Sequence, residues 1–409
     1  MKRAIFISVL MLSSQALWAK VMLGIDVLEK NKFDLLEGKS VGLITNHTGV
    51  NGQGKSTIDI LSKAPGVKLV KLFSPEHGIR GDALHGQTVV DGKDPVSGLS
   101  VLSLYGRTQR PTPEMLNGID VLVFDIQDIG TRFYTYTTTL AYALEEAAKA
   151  GIEFIVLDRP NPITGSIVEG EPLDDSINHF TAYLRVPVRH GMTVGELANW
   201  HCKTKGLKVK LTVVMMQGWQ REMWWENTGL KFRPTSPNIR TVTAATLYPG
   251  IGGFEATNLS VGRGTSRPFE VFGAPWLNAK VLVSRLSFFR TPGFEFQSAD
   301  FKPKSDLYAG EECQGIKVIL KDREAARPVD LFVVIFTALQ ELHPKKFKAR
   351  WDEMPRITGS DRFEDMLERG QSAETINTQW RDEAQKFIEK RKEYLLYGVD
   401  DEEEEVVTE

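Results

Sequence analysis

Cysteine is almost absent from this chain: two residues, Cys202 and Cys313, among 409. Two are too few for a disulfide framework or a thiolate metal cage, and spacing alone does not bring them within bonding distance. A dominant charge is missing too. Fifty Lys and Arg face 53 Asp and Glu, a formal −3 with pI ≈ 6.2, so the basic footprint of a nucleic-acid binder is excluded. No stretch approaches the ~20 apolar residues of a membrane-spanning helix, no His pair has metal-ligand spacing, and no internal repeat is visible. The composition is ordinary for a globular protein, 42% hydrophobic and 25% charged, in a chain long enough for two cores.

The two ends are unlike the rest. Met1-Lys2-Arg3, the apolar run Ala4 to Leu12 and the small-residue stretch Ser13 to Ala19 have the order of a secretory signal, predicted over residues 1–19. No Cys follows the run to carry a lipid. Loss of Lys2 and Arg3 leaves 48 basic against 53 acidic residues, −5, for a mature protein expected in the periplasm or medium. Residues 399–409, rich in Asp and Glu, read as a solvated acidic tail.

Between these ends, buried-strand patterns alternate with helical ones. Ser40–Thr45, Val67–Phe73, Val121–Asp125 and Glu153–Leu157 predict strands covered on both faces. Ser56–Ser62 and Tyr136–Ala150, the latter closed by Gly151, predict the helices between them. Helix Thr193–Lys205, capped by Gly206, and strand Lys208–Met215 add a further unit. The alternation predicts an α/β fold with a doubly wound, mostly parallel sheet over 20–235. Pro234–Pro275 reads as loop-rich. Helices Pro275–Phe289, Pro328–His343 and Ser372–Tyr397 with strand Gly315–Leu320 predict a second, smaller α+β domain over 236–398.

Ligands of open parallel sheets bind beyond the carboxyl ends of the strands, and here four strand ends turn abruptly polar. They read Thr45-Asn46-His47-Thr48-Gly49, Ser74-Pro75-Glu76-His77-Gly78, Asp125-Ile126-Gln127-Asp128 and Asp158-Arg159-Pro160-Asn161. Carboxylates, amides and rings in one place suit a sugar, whose hydroxyls need acceptors. Each element also has a plain structural role open to it: Asp158 and Arg159 as an ion pair, Asp125 as a turn cap, His77 and His190 as hydrogen-bonded structural residues. Asn46-His47-Thr48 and Asn258-Leu259-Ser260 match the glycosylation sequon. Gly49 to Ser56 spells the phosphate-binding P-loop, Gly-x4-Gly-Lys-Ser, with Val121–Asp125 in the place of the Mg²⁺-binding strand. This makes a nucleotide hydrolase the rival class. Against it, three residues separate the strand from Gly49, and an exported protein meets little ATP.

Longer motifs narrow the choice. The strand-end segments 45–49, 74–78, 124–136 and 157–162, with Arg-His-Gly-Met-Thr at 189–193, Ser-Pro-Asn at 236–238 and Phe-Glu-Ala-Thr-Asn-Leu-Ser-Val-Gly-Arg-Gly-Thr at 254–265, resemble the NamZ family of exo-β-N-acetylmuramidases, glycoside hydrolase family 171. The resemblance implies a Rossmann-like catalytic domain, a smaller domain closing a cleft, and release of N-acetylmuramic acid from non-reducing ends of peptidoglycan fragments. A cell-wall-binding module without turnover is the third class. No cofactor, metal or nucleic-acid partner is expected. Glu76 is the expected general acid, its pKa raised if the closed cleft desolvates it. Asp125 or Asp128 is its expected partner, activating water or holding the substrate's 2-acetamido group. Arg80, Arg132, Arg159 and Arg263 are available for the lactyl carboxylate. Arg263 comes first because Gly262 and Gly264 flank it, with pairing to Glu255 or Glu270 as its alternative role. Asn46, His77, Gln127, Tyr136, Asp158, His190 and Asn258 complete the expected binding set, with Tyr134 and Phe254 as further stacking surfaces.

Overall fold

The computed structural model describes residues 20–398; the predicted signal and acidic tail lie outside them. The larger sheet has seven strands: β1 (Ser40–Thr45), β2 (Lys68–Ser74), β3 (Gly92–Lys93), β4 (Ser100–Ser103), β5 (Val121–Asp125), β6 (Glu153–Leu157) and β7 (Leu211–Val214). Their order is β3-β4-β2-β1-β5-β6-β7. Every pair is parallel except the edge pair β3–β4. β5 is buried along its whole length, and β1 and β6 beyond their first residue, as apolar runs covered by helices on both faces should be. From β1 the chain winds first to β2 and β4, then returns to β5, β6 and β7. The switch therefore lies at β1, and the polar strand ends surround it.

The intervening helices begin and end where their caps dictate. Tyr136–Ala150 stops at Gly151, φ 68°. Val194–Lys205 starts at a capping box formed by Thr193 and Glu196 and stops at Gly206, φ 63°; both glycines take the left-handed backbone that ends a helix.

The second sheet is antiparallel, with order β8-β10-β9, built from β8 (Val271–Ala274), β9 (Phe294–Phe301) and β10 (Cys313–Leu320). Helix Ala279–Leu286 packs against β9 and β10, and helix Pro328–Leu342 packs in turn on Ala279–Leu286 and on Ala373–Arg391. Phe254 stacks on Phe272 at 5.7 Å and meets Phe332 at 4.9 Å. It is wholly buried and serves the core of this unit, not substrate stacking. Cys202 and Cys313 are buried and unpaired.

The segment predicted as loop-rich holds the helix Val242–Ile251 running into a 3₁₀ turn, Gly252–Ala256. The helix is buried from Ala244 to Ile251, so it has no polar face to reveal a helical period, and Pro249 hides it further. A Cβ on Gly250 would lie 1.9 Å from the Pro328 carbonyl oxygen. Glycine is needed there because two helices meet backbone to backbone. β4, β8 and β9 also escape prediction: β4 and β8 are four residues long, and β9 is largely solvent-facing.

Candidate active site

A cleft of ≈ 520 Å³ opens beyond β2 and β5 and is roofed by the second unit. Glu76 sits in its wall. Three residues past β2, the chain takes consecutive left-handed conformations at His77 (φ 68°) and Gly78 (φ 77°), and Gly78 N–H returns to the Pro75 carbonyl at 3.0 Å. A non-glycine residue rarely adopts this backbone. Here the reversal sets Glu76 and His77 side by side in the cleft. Nδ1 of His77 lies 2.7 Å from the Ala83 carbonyl, so it carries the hydrogen and Nε2 remains an acceptor. Burial lowers the pKa of His77, outweighing the adjacent Glu76 carboxylate that raises it.

Glu76 is 2% exposed. Its Oε2 accepts from Thr135 Oγ1 at 2.7 Å, while Oε1 accepts from Gly86 N–H at 3.3 Å and faces His85 Nδ1 at 3.2 Å. Burial pushes its pKa up, but the His85 bond, the field of His77 and the Thr135 bond outweigh that and hold it at about 2. The same contact raises the pKa of His85. The expected raised pKa of Glu76 is therefore corrected: donors to the charged form defeat desolvation, and the carboxylate is held ionised beside the His85 imidazole.

The opposite wall comes from the second unit: Tyr248, Glu255, Arg263, Phe269, Arg350, Glu353 and Arg356. Arg263 Nε donates to Glu255, and its guanidinium lies 5.2 Å above the Phe269 ring. Its terminal nitrogens have no hydrogen-bond partner among the described residues. Arg350 and Arg356, by contrast, are tied to Glu353.

The family model described as Exo-beta-N-acetylmuramidase NamZ, N-terminal, matches residues 41–243, and its C-terminal counterpart matches residues 246–397. The chain belongs to the NamZ family. The Peptidoglycan beta-N-acetylmuramidase NamZ of Bacillus subtilis (strain 168) is 42% identical over 379 residues, 92% of either chain. Two solved DUF1343 family proteins from Bacteroides fragilis NCTC 9343 share the fold. One has TM-score 0.86 and 38% identity over 92% of this chain and 99% of its own. The other has TM-score 0.74 and 30% identity over 93% and 99%. As a NamZ-family member, the chain is an exo-acting glycosidase.

Of the residues expected in the NamZ-type site, Glu76, His77, Tyr134 and Arg263 line the cleft; the others are placed elsewhere. Asp125 is buried, bonded to Thr57 and paired with Arg159 Nε at 2.6 Å. It is not available as a catalytic partner, nor Arg159 as a carboxylate fork. Asp128 caps Gly130 N–H at 2.7 Å and lies 3.3 Å from the buried His190. Asp158 accepts from Thr193, Gly195 and Tyr397, tying a helix start and the chain's last described turn to β6. Arg132 donates to the carbonyls of Glu171, Val186 and Ile357. Gln127 Nε2 holds the Asp128 and Pro160 carbonyls. Tyr136 donates to Thr235 O at 2.8 Å, and Tyr134, which does line the cleft, to Thr235 Oγ1 at 2.8 Å. Asn46 folds an Asx turn onto Thr48, Asn258 bridges Lys346 and Lys348, and Arg80 faces Asp94 at 3.8 Å in a neighbouring cavity. For Asp128, Asp158, Arg132, Gln127, Tyr136, Asn46 and Asn258 the physical reason is shared: turns and loops bury backbone polar groups, and these side chains satisfy them.

The P-loop spelling is overturned in the same way. Every backbone N–H from Gly49 to Lys55 is donated within the protein: Gly52 to Asp26, Gln53 and Lys55 to Asn51 Oδ1, the rest to carbonyls. No N–H of this stretch is left for a phosphate, and the Asp26 carboxylate occupies the turn. Among the described residues no cluster of His, Cys, Asp and Glu is placed to hold a metal ion, and no helix is long and apolar enough to cross a membrane. His85, Tyr248, Glu255, Arg350, Glu353 and Arg356 were not expected in the site. Only Glu255, inside the 254–265 motif, carried any signal.

Proposed function

We propose that the protein is exported and releases N-acetylmuramic acid from the non-reducing ends of peptidoglycan fragments. One observation carries this reading: in a single cleft, the buried Glu76, joined to the exposed His85, faces Arg263, whose terminal nitrogens make no hydrogen bond among the described residues. The carboxylate raises the pKa of the imidazole, and the two groups share a proton and titrate as a unit. That proton passes to the leaving oxygen as the glycosidic bond breaks, and the emptied pair takes one from the attacking water. Arg263 pairs with the lactyl carboxylate, whose burial without a cation would be costly. The name of the Bacillus subtilis relative, a peptidoglycan beta-N-acetylmuramidase, supports this substrate class, and the N-terminal pattern supports export.

The test is turnover of a β-N-acetylmuramide by the mature chain and by Glu76→Gln. The variant keeps the shape but cannot hold the shared proton. Its kcat is expected to fall roughly 10²-fold or more with little change in KM. Near-wild-type turnover on a poor leaving group would remove Glu76 from the chemistry. Export is checked by the intact mass of protein from its native host, which should begin between Gln15 and Met22; retention of residues 1–14 would overturn it.

A further inference from the structure

We infer that Tyr248 donates its phenolic hydrogen to the carbonyl oxygen of the substrate's 2-acetamido group, making it the residue that selects an N-acetylated sugar. This rests on the muramidase reading above. Three tyrosines cluster, two of them, Tyr134 and Tyr248, lining the cleft; Tyr134 lies 4.9 Å from Tyr136 and 5.9 Å from Tyr248 between ring centroids. Tyr134 and Tyr136 give their hydroxyls to Thr235. The Tyr248 hydroxyl has no partner among the described residues, although the residue is only 6% exposed and lines the cleft. The ring is buried while its hydroxyl opens onto the cleft, where it can donate to a bound ligand.

The ring is held in place. Phe133 and Phe269 pack against it with centroids at 5.1 and 4.7 Å. A Cβ on Gly252 would come within 2.9 Å of its Cε2 and 3.0 Å of its Cδ2, so glycine at that position provides the seat. Burial, followed by the nearby Glu255, raises the pKa of Tyr248 well above its ordinary value. The phenol therefore keeps its hydrogen and serves as a fixed donor rather than an acid.

The choice of acceptor follows from the neighbours. Phe269 carries the Arg263 guanidinium on its face and Tyr248 against its ring, so cation and phenol flank one aromatic residue. In N-acetylmuramic acid the lactyl ether and the acetamido group are on adjacent ring carbons. With the carboxylate on Arg263 and the leaving oxygen at Glu76–His85, the acetamido carbonyl is the strong acceptor remaining. Held there, it can also be presented to the anomeric carbon as an internal nucleophile.

Calorimetry with N-acetylmuramic acid and with muramic acid, which lacks the acetyl group, tests this on the mature chain and Tyr248→Phe. The variant should bind the acetylated sugar about 10-fold more weakly and muramic acid unchanged. Its kcat on a β-N-acetylmuramide should fall about 10²-fold with the melting temperature held. An equal loss on both sugars, or none, would overturn the assignment. A wild-type chain that neither binds nor cleaves muramyl sugars would instead sink the function on which the assignment rests.

Discussion

Arg263→Lys separates recognition from scaffolding at one position. The arginine does two things at once: its Nε holds Glu255 and its face covers Phe269, while its terminal nitrogens make no hydrogen bond among the described residues. Lysine keeps the charge and can still reach Glu255, but it cannot present two parallel N–H groups to a carboxylate. A charge-assisted hydrogen bond contributes about 1.5–3 kcal/mol, so a lost fork should cost about 1–3 kcal/mol, roughly 5- to 150-fold in kcat/KM. The assay compares a chromogenic β-N-acetylmuramide with the matching β-N-acetylglucosaminide, which has no lactyl group. The muramide should suffer the whole loss and the glucosaminide stay within about twofold. Because Phe269 loses its planar cover, about 1 kcal/mol of stability goes too, a melting shift on the order of 2 °C in a chain of this size. If both substrates fell equally and the melting temperature dropped steeply, Arg263 would be a strut between Glu255 and Phe269, and the carboxylate-recognition argument would be wrong.

Three further outcomes are expected. Asp125→Asn leaves the buried Arg159 charge unpaired and should destabilise the fold by about 3–5 kcal/mol; an unchanged denaturant midpoint with a 10²-fold fall in kcat would make Asp125 catalytic after all. Lys55→Ala should leave glycosidase activity within a few-fold, since the exposed lysine follows a loop with no free N–H for phosphate; Mg²⁺-dependent ATP binding abolished by the substitution would revive the nucleotide reading. Acid stability should report Glu76: its folded pKa of about 2 lies below the ordinary 4.5. The resulting stabilisation, on the order of 3 kcal/mol, is present above pH 4.5 and lost as pH falls from there towards 2. Glu76→Gln should flatten that part of the melting-temperature profile, and an unchanged profile would mean that Glu76 is not held ionised. His85 has the opposite sign, its raised pKa giving stability present below about 6.5 and lost as pH rises through the raised value.

The sequence by itself determined the parallel sheet, because runs such as Val121–Asp125 and Glu153–Leu157 are apolar on both faces and leave few alternatives to a covered strand. It also determined the helix ends at Gly151 and Gly206, where a local backbone rule needs no tertiary partner. Glu76 was legible because Pro75 and Gly78 mark a forced turn directly after a buried strand. The second sheet was less so: β8 and β9 are short or mostly exposed, and the buried helix Val242–Ile251 has no polar face to set a period. Within the site, sequence placed carboxylates and arginines at strand ends but did not distinguish a group facing the cleft from one facing its own loop. Asp125, Asp128, Asp158 and Arg132 look as reactive in one dimension as Glu76 and Arg263. In three, they satisfy buried backbone and each other. Only the tertiary structure decided that Glu76 meets His85, and that Tyr248 and Arg263 reach it from more than 150 residues away. Cleft chemistry depends on which polar groups remain unpaired once every loop has satisfied itself, and that remainder is a property of the whole fold.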